Sequence, residues 1–394
     1  MHQSFGNLRL EKRINLKRII NLIRSTDRIS RIEISRVLNI SPSAVSQSVN
    51  QLIQAGMITK AAMGESDLGR KPTLLRFNPD VKYILSIEMG GEDIKAALLN
   101  LDADIKKWTA TPAFSGDDGP PLPLGKIFRF VQVFLDELSV EGISRSDILG
   151  MAIAIHGTID YNTGIVYEAP HIGWTEVNLK KTFAEKFSYR VVVENDVNCT
   201  VLAEERRGSG VGAQDIICVA IEEGVGAGLL LNGDLYRGFS GEAGEIGWFY
   251  LKEKAPDEPY QLTGDFERRV SQSAIKQQLS SLADDADDRT KQRMAAEIGE
   301  FIGIGLANLI NALNPEMVIL TGIPEKISGL VIEQITQVVK LLTPKRRSEH
   351  VQFKIGTLPE DERALIGAGL LVSDLFFSLP DDVWVKVRDR EAIS

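Results

Sequence analysis

The residues best suited to chemistry in this chain are Glu194, Asn195 and Asp196, which directly follow three valines. Consecutive β-branched residues are typical of a buried strand in a sheet that is covered on both faces. A predicted helix over 197–207 comes next. Carboxylates and amides at the carboxyl end of such a strand lie where open α/β sheets bind ligands. The segment is therefore interpreted either as the catalytic base of a kinase with its neighbours, or as a remnant that only holds a ligand.

Other predicted strands and helices must position this segment. Strands over 83–88 and 94–100, joined by Gly90-Gly91, make a strand–turn–strand start, which differs from the strand–helix start of a dinucleotide-binding fold. The apolar run 151–155 predicts a buried strand that leads into Gly157. The remaining predictions are strands at 216–221 and 317–321, a glycine-rich turn at 224–228, a hairpin turn at 232–233, helices over 124–138 and 361–377, and a mostly helical region over 263–313.

Composition is that of a soluble globular protein. With 394 residues, of which 43% are hydrophobic and 25% charged, the chain is long enough for two or three domains. No apolar run reaches about 18 residues, which argues against a transmembrane helix, and the charged N-terminus does not resemble a signal peptide. The two cysteines, Cys199 and Cys218, form no pairing motif and indicate buried thiols in a reducing cytoplasm.

The net charge of −9 conceals a basic N-terminal module on an acidic body. Residues 1–80 carry 13 Lys and Arg against 6 Asp and Glu, a balance of +7, whereas the remainder has a balance of −16. This asymmetry indicates one part that binds a polyanion and another part with a different task.

The first 80 residues carry the signals of three helices and two strands. Ser30 to Glu33 form a capping box, and Ser41-Pro42 supply an N-cap followed by a proline in the first helical turn. A Gly-Arg-Lys-Pro turn at 69–72 separates the strands. The predicted elements are helices over 14–23, 30–39 and 42–54 and strands at 57–60 and 73–77. Together they predict a winged helix-turn-helix.

The third helix and the wing carry the predicted DNA contacts. Apolar residues of this helix are spaced to face inward, so its short polar side chains face outward, where they suit base edges and phosphates. Two cations in the wing would lie against the DNA backbone or a minor groove. The predicted contacts are Ser43, Ser46, Gln47, Asn50, Arg70 and Lys71. The alternative is a generic three-helix bundle, but the caps, the wing and the basic balance together favour double-stranded operator DNA as partner.

Five motifs occur in an order that resembles one known family. They are Gly69-Arg70-Lys71-Pro72, Glu88-Met89-Gly90-Gly91, the segment from Gly157 to Trp174, Glu194-Asn195-Asp196, and the run from Gly238 to Gly247. Each motif is weak alone. Together they make residues 9–378 resemble the ROK family of repressors and sugar kinases, specifically its winged-helix regulators of the xylose and N-acetylglucosamine repressor type.

The resemblance implies an α/β fold in which a winged helix-turn-helix precedes a two-lobed sugar-kinase fold of the actin-like ATPase or ribonuclease H-like type. The implied domains are a DNA-binding domain over 1–80, a sensor domain over 81–378 and a C-terminal tail over 379–394. Within the sensor, the small lobe comprises about 81–195 plus the C-terminal helix, and the large lobe comprises about 196–360.

The resemblance also implies a sugar site. In active kinases of the family an aspartate takes a proton from a sugar hydroxyl while ATP supplies the phosphoryl group, and Asp196 matches that base. Neighbouring amide and carboxylate oxygens suit a polyol, because each can accept a hydroxyl hydrogen. His171 either contacts the ligand or is a locally bonded loop histidine, and for His156 a structural role is favoured. The implied sugar-binding residues are Asn195, Asp196, Glu245, Glu267, His171 and Gly157.

The phosphate-binding loops depart from the family pattern. Glu88 replaces an aspartate, Glu92-Asp93 stand where Thr-Lys is usual, and Glu222-Glu223-Gly224 replace Gly-Thr-Gly. A carboxylate about 4 Å from a phosphate charge costs about 4 kcal/mol at an effective dielectric constant of about 20, which weakens binding roughly several hundredfold or more. We therefore expect that the ATP site is lost and that the domain needs no cofactor.

The zinc site of the family is expected to be absent as well. Trp248 occupies the position of a zinc-binding histidine, and Ala255–Gly264 contain no cysteine. Without thiolates a tetrahedral zinc ion has no ligand set at that place, so the sequence predicts no metal.

These observations predict a sugar-responsive transcriptional regulator, in the first instance a repressor. It would act in the cytoplasm, away from membranes, as a homodimer or a dimer of dimers, and effector binding would change lobe closure and the spacing of two DNA-binding heads. One alternative is an active ATP-dependent sugar kinase with an appended DNA-binding domain. Another is a regulator gated by a protein partner, with a vestigial pocket.

Overall fold

The computed structural model describes residues 2–63, 73–115, 119–251, 264–280 and 288–378. A winged helix-turn-helix precedes two lobes, each of which contains a five-stranded sheet. This architecture confirms the α/β class and the winged helix followed by a two-lobed kinase fold.

The N-terminal part places three helices on a three-stranded sheet of order β1-β3-β2. Its elements are α1 (His2–Arg24), β1 (Ile29–Ser30), α2 (Arg31–Leu38), α3 (Pro42–Gln54), β2 (Ile58–Met63) and β3 (Thr73–Phe77). Both predicted caps are present. Ser30 and Glu33 exchange the two hydrogen bonds of a capping box, and the Ser41 hydroxyl accepts the Ala44 N–H at 3.3 Å. Local sequence thus sets both ends of the helix-turn-helix.

The first lobe is built on a sheet of order β11-β7-β4-β5-β6. The elements of this lobe are β4 (Tyr83–Met89), β5 (Asp93–Asn100), β6 (Ile105–Pro112), α4 (Leu124–Val140), β7 (Ile148–Ile155), β8 (Thr158–Asp160), β9 (Ile165–Ala169), β10 (Trp174–Asn178), α5 (Leu179–Phe187) and β11 (Val191–Asn195). Strands β4, β7 and β11 are parallel, with Met89, Ile155 and Asn195 in register. The residues that follow these three strands therefore meet at one edge of the sheet.

The second lobe has a sheet of order β14-β13-β12-β15-β16, in which β13 is antiparallel to β12 and β15 is parallel to it. Its strands are β12 (Ile216–Ile221), β13 (Val225–Leu231), β14 (Asp234–Leu235), β15 (Met317–Thr321) and β16 (Gln352–Ile355). The helices of this half of the chain are α6 (Asp196–Arg207), α7 (Glu267–Val270), α8 (Gln272–Ser280), α9 (Asp288–Leu313), α10 (Glu325–Leu342), α11 (Lys345–His350) and α12 (Glu360–Ser378).

The predicted glycine-rich turn at 224–228 is wrong, because most of this segment belongs to strand β13. A Cβ atom at Gly228 would lie 2.7 Å from the Val197 carbonyl oxygen, and one at Gly226 would lie 3.2 Å from the Val197 side chain. Glycine is needed here because α6 packs directly on the strand. The close approach of α6 to β13, and not a need for unusual backbone angles, explains why this segment is rich in glycine.

Helix α12 joins the first lobe to the winged helix. Its buried Phe376 and Phe377 belong to the same hydrophobic cluster as Ile19, Phe77 and Ala152. The ring centroids of Phe77 and Phe377 are 5.8 Å apart in an edge-on arrangement. The winged helix therefore shares a core with the body of the protein.

One segment of α9, Gln292–Leu313, is long and apolar enough to cross a membrane by length and composition. Its buried side chains, including Ile298, Ile302, Leu306 and Ile310, lie in the hydrophobic cluster of the second lobe together with residues of α10. A core helix of a folded domain accounts for this composition.

Candidate functional site

A cleft between the lobes contains every residue of the sugar site predicted from the sequence. Its volume is about 540 Å³, within the range of about 300–1,000 Å³ that is usual for small-molecule pockets. Its lining includes Gly157, His171, Asn195, Asp196, Glu245 and Glu267. The fold thus gathers these residues at one place, and their contact with a sugar stays a prediction.

Asn195 fixes the beginning of α6. Its side-chain oxygen accepts the N–H groups of Val197 at 2.9 Å and Asn198 at 3.1 Å. Its amide nitrogen donates to the Gly157 carbonyl at 3.3 Å and to Asp196 Oδ1 at 3.0 Å. These four bonds use the full capacity of the amide. Asn195 is therefore an N-cap that orients Asp196, and a sugar contact would have to replace one of the four bonds.

Asp196 is the first residue of α6 and lines both the cleft and the neighbouring smaller pocket. Burial raises its pKa to about 8, and the nearby carboxylate of Glu222 adds to the shift, while the backbone N–H of Val197 opposes it. The carboxyl group is therefore largely protonated at neutral pH in the absence of a ligand. In that state it can donate a hydrogen bond to a sugar oxygen, but it cannot accept a proton as a base.

Glu245 is positioned by the glycines around it. Gly244 has φ +101°, and a Cβ atom there would lie 1.8 Å from the Ala227 carbonyl oxygen, so only glycine fits. The loop can therefore cross β13 closely and direct Glu245 into the cleft. Burial raises the pKa of Glu245, with a further contribution from Glu242. Glu267, at the start of α7, accepts the N–H of Val225 at 3.0 Å.

Two histidines and a glutamate converge at one side of the cleft. The rings of His156 and His171 stack with centroids 4.5 Å apart. Glu223 Oε2 lies 3.5 Å from Nδ1 of His171 and 3.9 Å from Nδ1 of His156. His171 therefore lines the cleft, with His156 and Glu223 as its direct neighbours.

A second, smaller pocket adjoins the cleft on the side where the family resemblance places the nucleotide phosphates. Its volume is about 150 Å³, and among the described residues that line it Lys95 is the only lysine or arginine. Eight carboxyl side chains line this acidic pocket: Glu88, Glu92, Asp93, Asp196, Glu222, Glu223, Glu360 and Asp361. The sequence analysis anticipated the acidic loops but not the contribution of α12.

Two cations, Lys95 and Arg363, neutralise part of the acidic pocket. Lys95 Nζ lies 2.8 Å from Asp361 and 3.5 Å from Glu88. Arg363 of α12 donates a short hydrogen bond to Glu222. Burial raises the pKa of Glu88 to about 8, although Lys95 opposes the shift. Part of the negative charge of the acidic pocket is therefore offset within the protein, by Lys95 and Arg363 and by a proton on Glu88.

Glu194 has a structural role that sequence reasoning missed. It is almost completely buried, and its Oε2 accepts a hydrogen bond from Arg237 Nε at 2.7 Å. Its other oxygen accepts from Asn198 Nδ2 at 3.0 Å. The Arg237 guanidinium also lies over the Tyr161 ring, 4.4 Å from its centroid. No local signal in the sequence pairs Glu194 with Arg237, because the two residues are 43 positions apart.

The recognition helix α3 presents most of the predicted DNA contacts. Ser43, Gln47 and Asn50 are exposed and Ser46 is half-buried. Asn50 Oδ1 accepts a hydrogen bond from Arg31 at 2.9 Å, so one predicted base contact is partly engaged within the protein. Arg70 and Lys71 of the predicted wing lie outside the described residues, as do positions 255–263, where the sequence predicts that zinc ligands are missing.

Comparisons with known proteins agree with both parts of the fold. The ROK family model matches residues 84–375, and a winged helix-turn-helix DNA-binding model matches residues 12–59. The xylose repressor of Caldicellulosiruptor bescii is 27% identical over 403 positions, which cover 95% of this chain and 99% of the relative. A glucokinase of Halalkalibacterium halodurans is 29% identical over 319 positions, which cover 74% of this chain and 95% of the enzyme.

A solved structure of similar fold supports the arrangement of the whole chain. It is a ROK family transcriptional regulator, a homologue of the Escherichia coli MLC protein, with a TM-score of 0.79 and 21% identity. The similarity covers 95% of this chain and 98% of that structure. Since the ROK model alone spans well over half of the sequence, the chain belongs to the ROK family.

Proposed function

We propose that this protein is a transcriptional repressor that binds operator DNA through its winged helix and binds a sugar or sugar derivative in the interlobe cleft without phosphorylating it. The observation that carries the proposal is the acidic pocket beside the cleft. A triphosphate at this place would approach several carboxylates, at a cost of about 4 kcal/mol for each contact near 4 Å. The relatives named as xylose repressors support a sugar as effector.

Helix α12 offers a route from the effector cleft to the DNA. Its 19 residues span about 28 Å. At its N-terminal end Asp361 and Arg363 pair with Lys95 and Glu222 of the acidic pocket. At its C-terminal end Phe377 packs against the winged helix. A change in lobe closure would therefore tilt a rigid helix whose far end orients the DNA-binding part.

The effector is tested by measuring thermal stability with a panel of sugars and sugar phosphates, each with and without Mg-ATP. We expect one sugar class to raise the melting temperature by an amount that ATP does not change. The same sugar should alter the affinity for a duplex selected from a random DNA library, measured by fluorescence anisotropy. If no sugar changes either quantity, the effector model is wrong and a protein partner becomes the candidate.

The DNA contacts are tested with Gln47→Ala and Arg70→Ala. Loss of a good base contact costs about 1–3 kcal/mol, so Gln47→Ala should weaken operator binding by about 10- to 100-fold. Arg70→Ala should reduce the salt dependence of binding by about one phosphate contact. Gln337→Ala changes an exposed glutamine on α10 and should bind as wild type. Unchanged affinity of the double variant would contradict the docking.

A sugar kinase is the second candidate, because Asp196 stands at the start of α6 as a kinase base would and because a glucokinase is 29% identical. An ATP-dependent sugar-phosphorylating activity that Asp196→Asn abolishes would establish it. If no phosphorylated sugar is detected at high protein concentration, the result supports a repressor that does not phosphorylate its effector.

We infer further that the protein works in the cytoplasm as a homodimer or a dimer of dimers, because a paired winged helix reads two half-sites one helical turn apart. Sedimentation equilibrium tests the assembly. A monomer at micromolar concentration, with and without DNA, would contradict it.

A further inference from the structure

We propose that His156, His171 and Glu223 form a binding site for a divalent transition-metal ion that bridges the two lobes. One ligand atom of each residue lies within 4.8 Å of those of the other two. His156 follows β7 and His171 follows β9, both in the first lobe, whereas Glu223 lies in the turn between β12 and β13 of the second lobe. The site is distinct from the zinc position of the family resemblance, which lies around Trp248.

The distances between the groups fit a shared ion better than direct hydrogen bonds. Glu223 Oε2 is 3.5 Å and 3.9 Å from the two Nδ1 atoms, whereas N–H···O bonds usually measure about 2.7–3.2 Å. Ligand atoms about 2.0–2.1 Å from a tetrahedral zinc ion lie about 3.3–3.4 Å apart. Small rotations of side chains that are 26–40% exposed would close the remaining gap.

The surrounding backbone leaves room for this convergence. A Cβ atom at Gly91 would lie 2.7 Å from Glu223 Oε2 and 3.0 Å from the His171 Cβ atom. Any other residue at this position would push the carboxylate away from the imidazole. A glycine that makes space for Glu223 beside His171, two of the three ligand groups, is a second observation in favour of a site.

The chemistry of the groups selects the class of ion. Two imidazoles and one carboxylate suit zinc, iron, cobalt or nickel, whereas magnesium and calcium prefer oxygen ligands throughout. The carboxyl groups of the cleft, such as Glu245 and Glu267, also favour the entry of a cation.

Three protein ligands leave a fourth position for water. Because the ligands come from both lobes, the ion would hold the cleft closed at one side. Metal binding would then restrict the same lobe movement by which a sugar is proposed to act. The metal site itself depends on neither a sugar nor DNA.

The test uses the full-length protein after removal of metals with EDTA and dialysis. Isothermal titration calorimetry with Zn²⁺ should give one ion per chain with a Kd of about 1 µM or tighter. Co²⁺ should give visible absorption bands of a nitrogen and oxygen site that added Zn²⁺ removes. An excess of Zn²⁺ of about 100 times Kd should raise the melting temperature by about 3 °C.

Variants locate the ion. His171→Asn and Glu223→Gln should each weaken Zn²⁺ binding by more than about 100-fold, since even an outer-shell partner contributes about 10- to 100-fold. His350→Asn, on the exposed face of α11, is the matched control and should bind as wild type. Glu223→Gln keeps the shape of the side chain. If His171→Asn does not fold, the Zn²⁺ affinity of Glu223→Gln alone tests the site. Wild-type protein without zinc binding, or variants with unchanged affinity, would overturn the proposal.

Discussion

Replacing Asp196 with asparagine should make the protein less sensitive to alkaline pH. The pKa of this carboxyl is raised in the folded state from 3.8 to about 8, mainly by burial and then by Glu222. A folded-state pKa above the unfolded one means that the folded protein binds the additional proton. The corresponding stability is present below about pH 4 and is lost as the pH rises towards 8. An asparagine side chain has no proton to lose, so this part of the pH dependence should vanish in the variant.

The size of the effect follows from the shift. About four pKa units at about 1.4 kcal/mol each give an upper limit of about 6 kcal/mol, of which about 4 kcal/mol falls between pH 5 and pH 8. The carboxyl group of Glu88 shares the acidic pocket, and part of the rise in its pKa comes from Asp196, so its own protonation would adjust when Asp196 is replaced. We therefore expect about half of the 4 kcal/mol. Between pH 5 and pH 8, the free energy of unfolding of the variant should rise by about 2 kcal/mol relative to that of the wild type.

Urea unfolding followed by circular dichroism at pH 5, 6, 7 and 8 measures this difference. Asp234→Asn, which changes an exposed carboxylate on β14 of the second lobe, should run parallel to wild type. If Asp196→Asn also runs parallel to wild type across this range, the carboxyl group is ionised in the folded state. The account of the ligand-free cleft would then be wrong.

Three further stability predictions concern the scaffold. Phe377→Ala should lower the free energy of unfolding by about 3–5 kcal/mol, because it leaves a cavity beneath Arg24, whose guanidinium lies 3.8 Å from the ring centroid. A calorimetric transition at the wild-type melting temperature would contradict this. Gly244→Ala should lower the free energy of urea unfolding by more than about 2 kcal/mol, because this residue has a positive φ and its Cβ would meet the Ala227 carbonyl. Gly329→Ala, in open space on α10, should instead raise that free energy by about 0.5–1 kcal/mol. Equal effects of the two substitutions would refute the argument. Ser41→Ala removes the cap of α3 and should cost about 1 kcal/mol by thermal unfolding, and an unchanged melting temperature would show that the cap is dispensable.

Features with a local cause could be predicted from the sequence. The capping box at Ser30 and the N-cap at Ser41 depend on residues within three positions of each other, and both are present. The turn at Asn232-Gly233 likewise needs only its own positive φ angles, 55° and 80°. The gathering of the six sugar-site residues rested on the family resemblance, since spacing alone does not bring Gly157 next to Glu267.

Features with a long-range cause could not be predicted. The glycines of β13 resemble a turn until α6 is known to pack on them. The acidic loops were visible in the sequence, but the pairing of Glu222 with Arg363 across 141 positions was not, and neither was the pairing of Lys95 with Asp361 of α12 across 266 positions. The convergence of His156 and His171 with Glu223 likewise needs both lobes in place. Sequence patterns report which groups exist, whereas packing decides which of them meet.

The shared core between the winged helix and α12 has a consequence for synthesis on the ribosome. Phe77 and Phe377 are separated by 300 positions, and translation at about 5–20 residues per second takes about 15–60 seconds to cover them. During this time the nascent DNA-binding part exists without the surface that orients it. A chain that stops before residue 360 would carry a winged helix without its anchor. Only the completed polypeptide can therefore present this domain in a fixed direction.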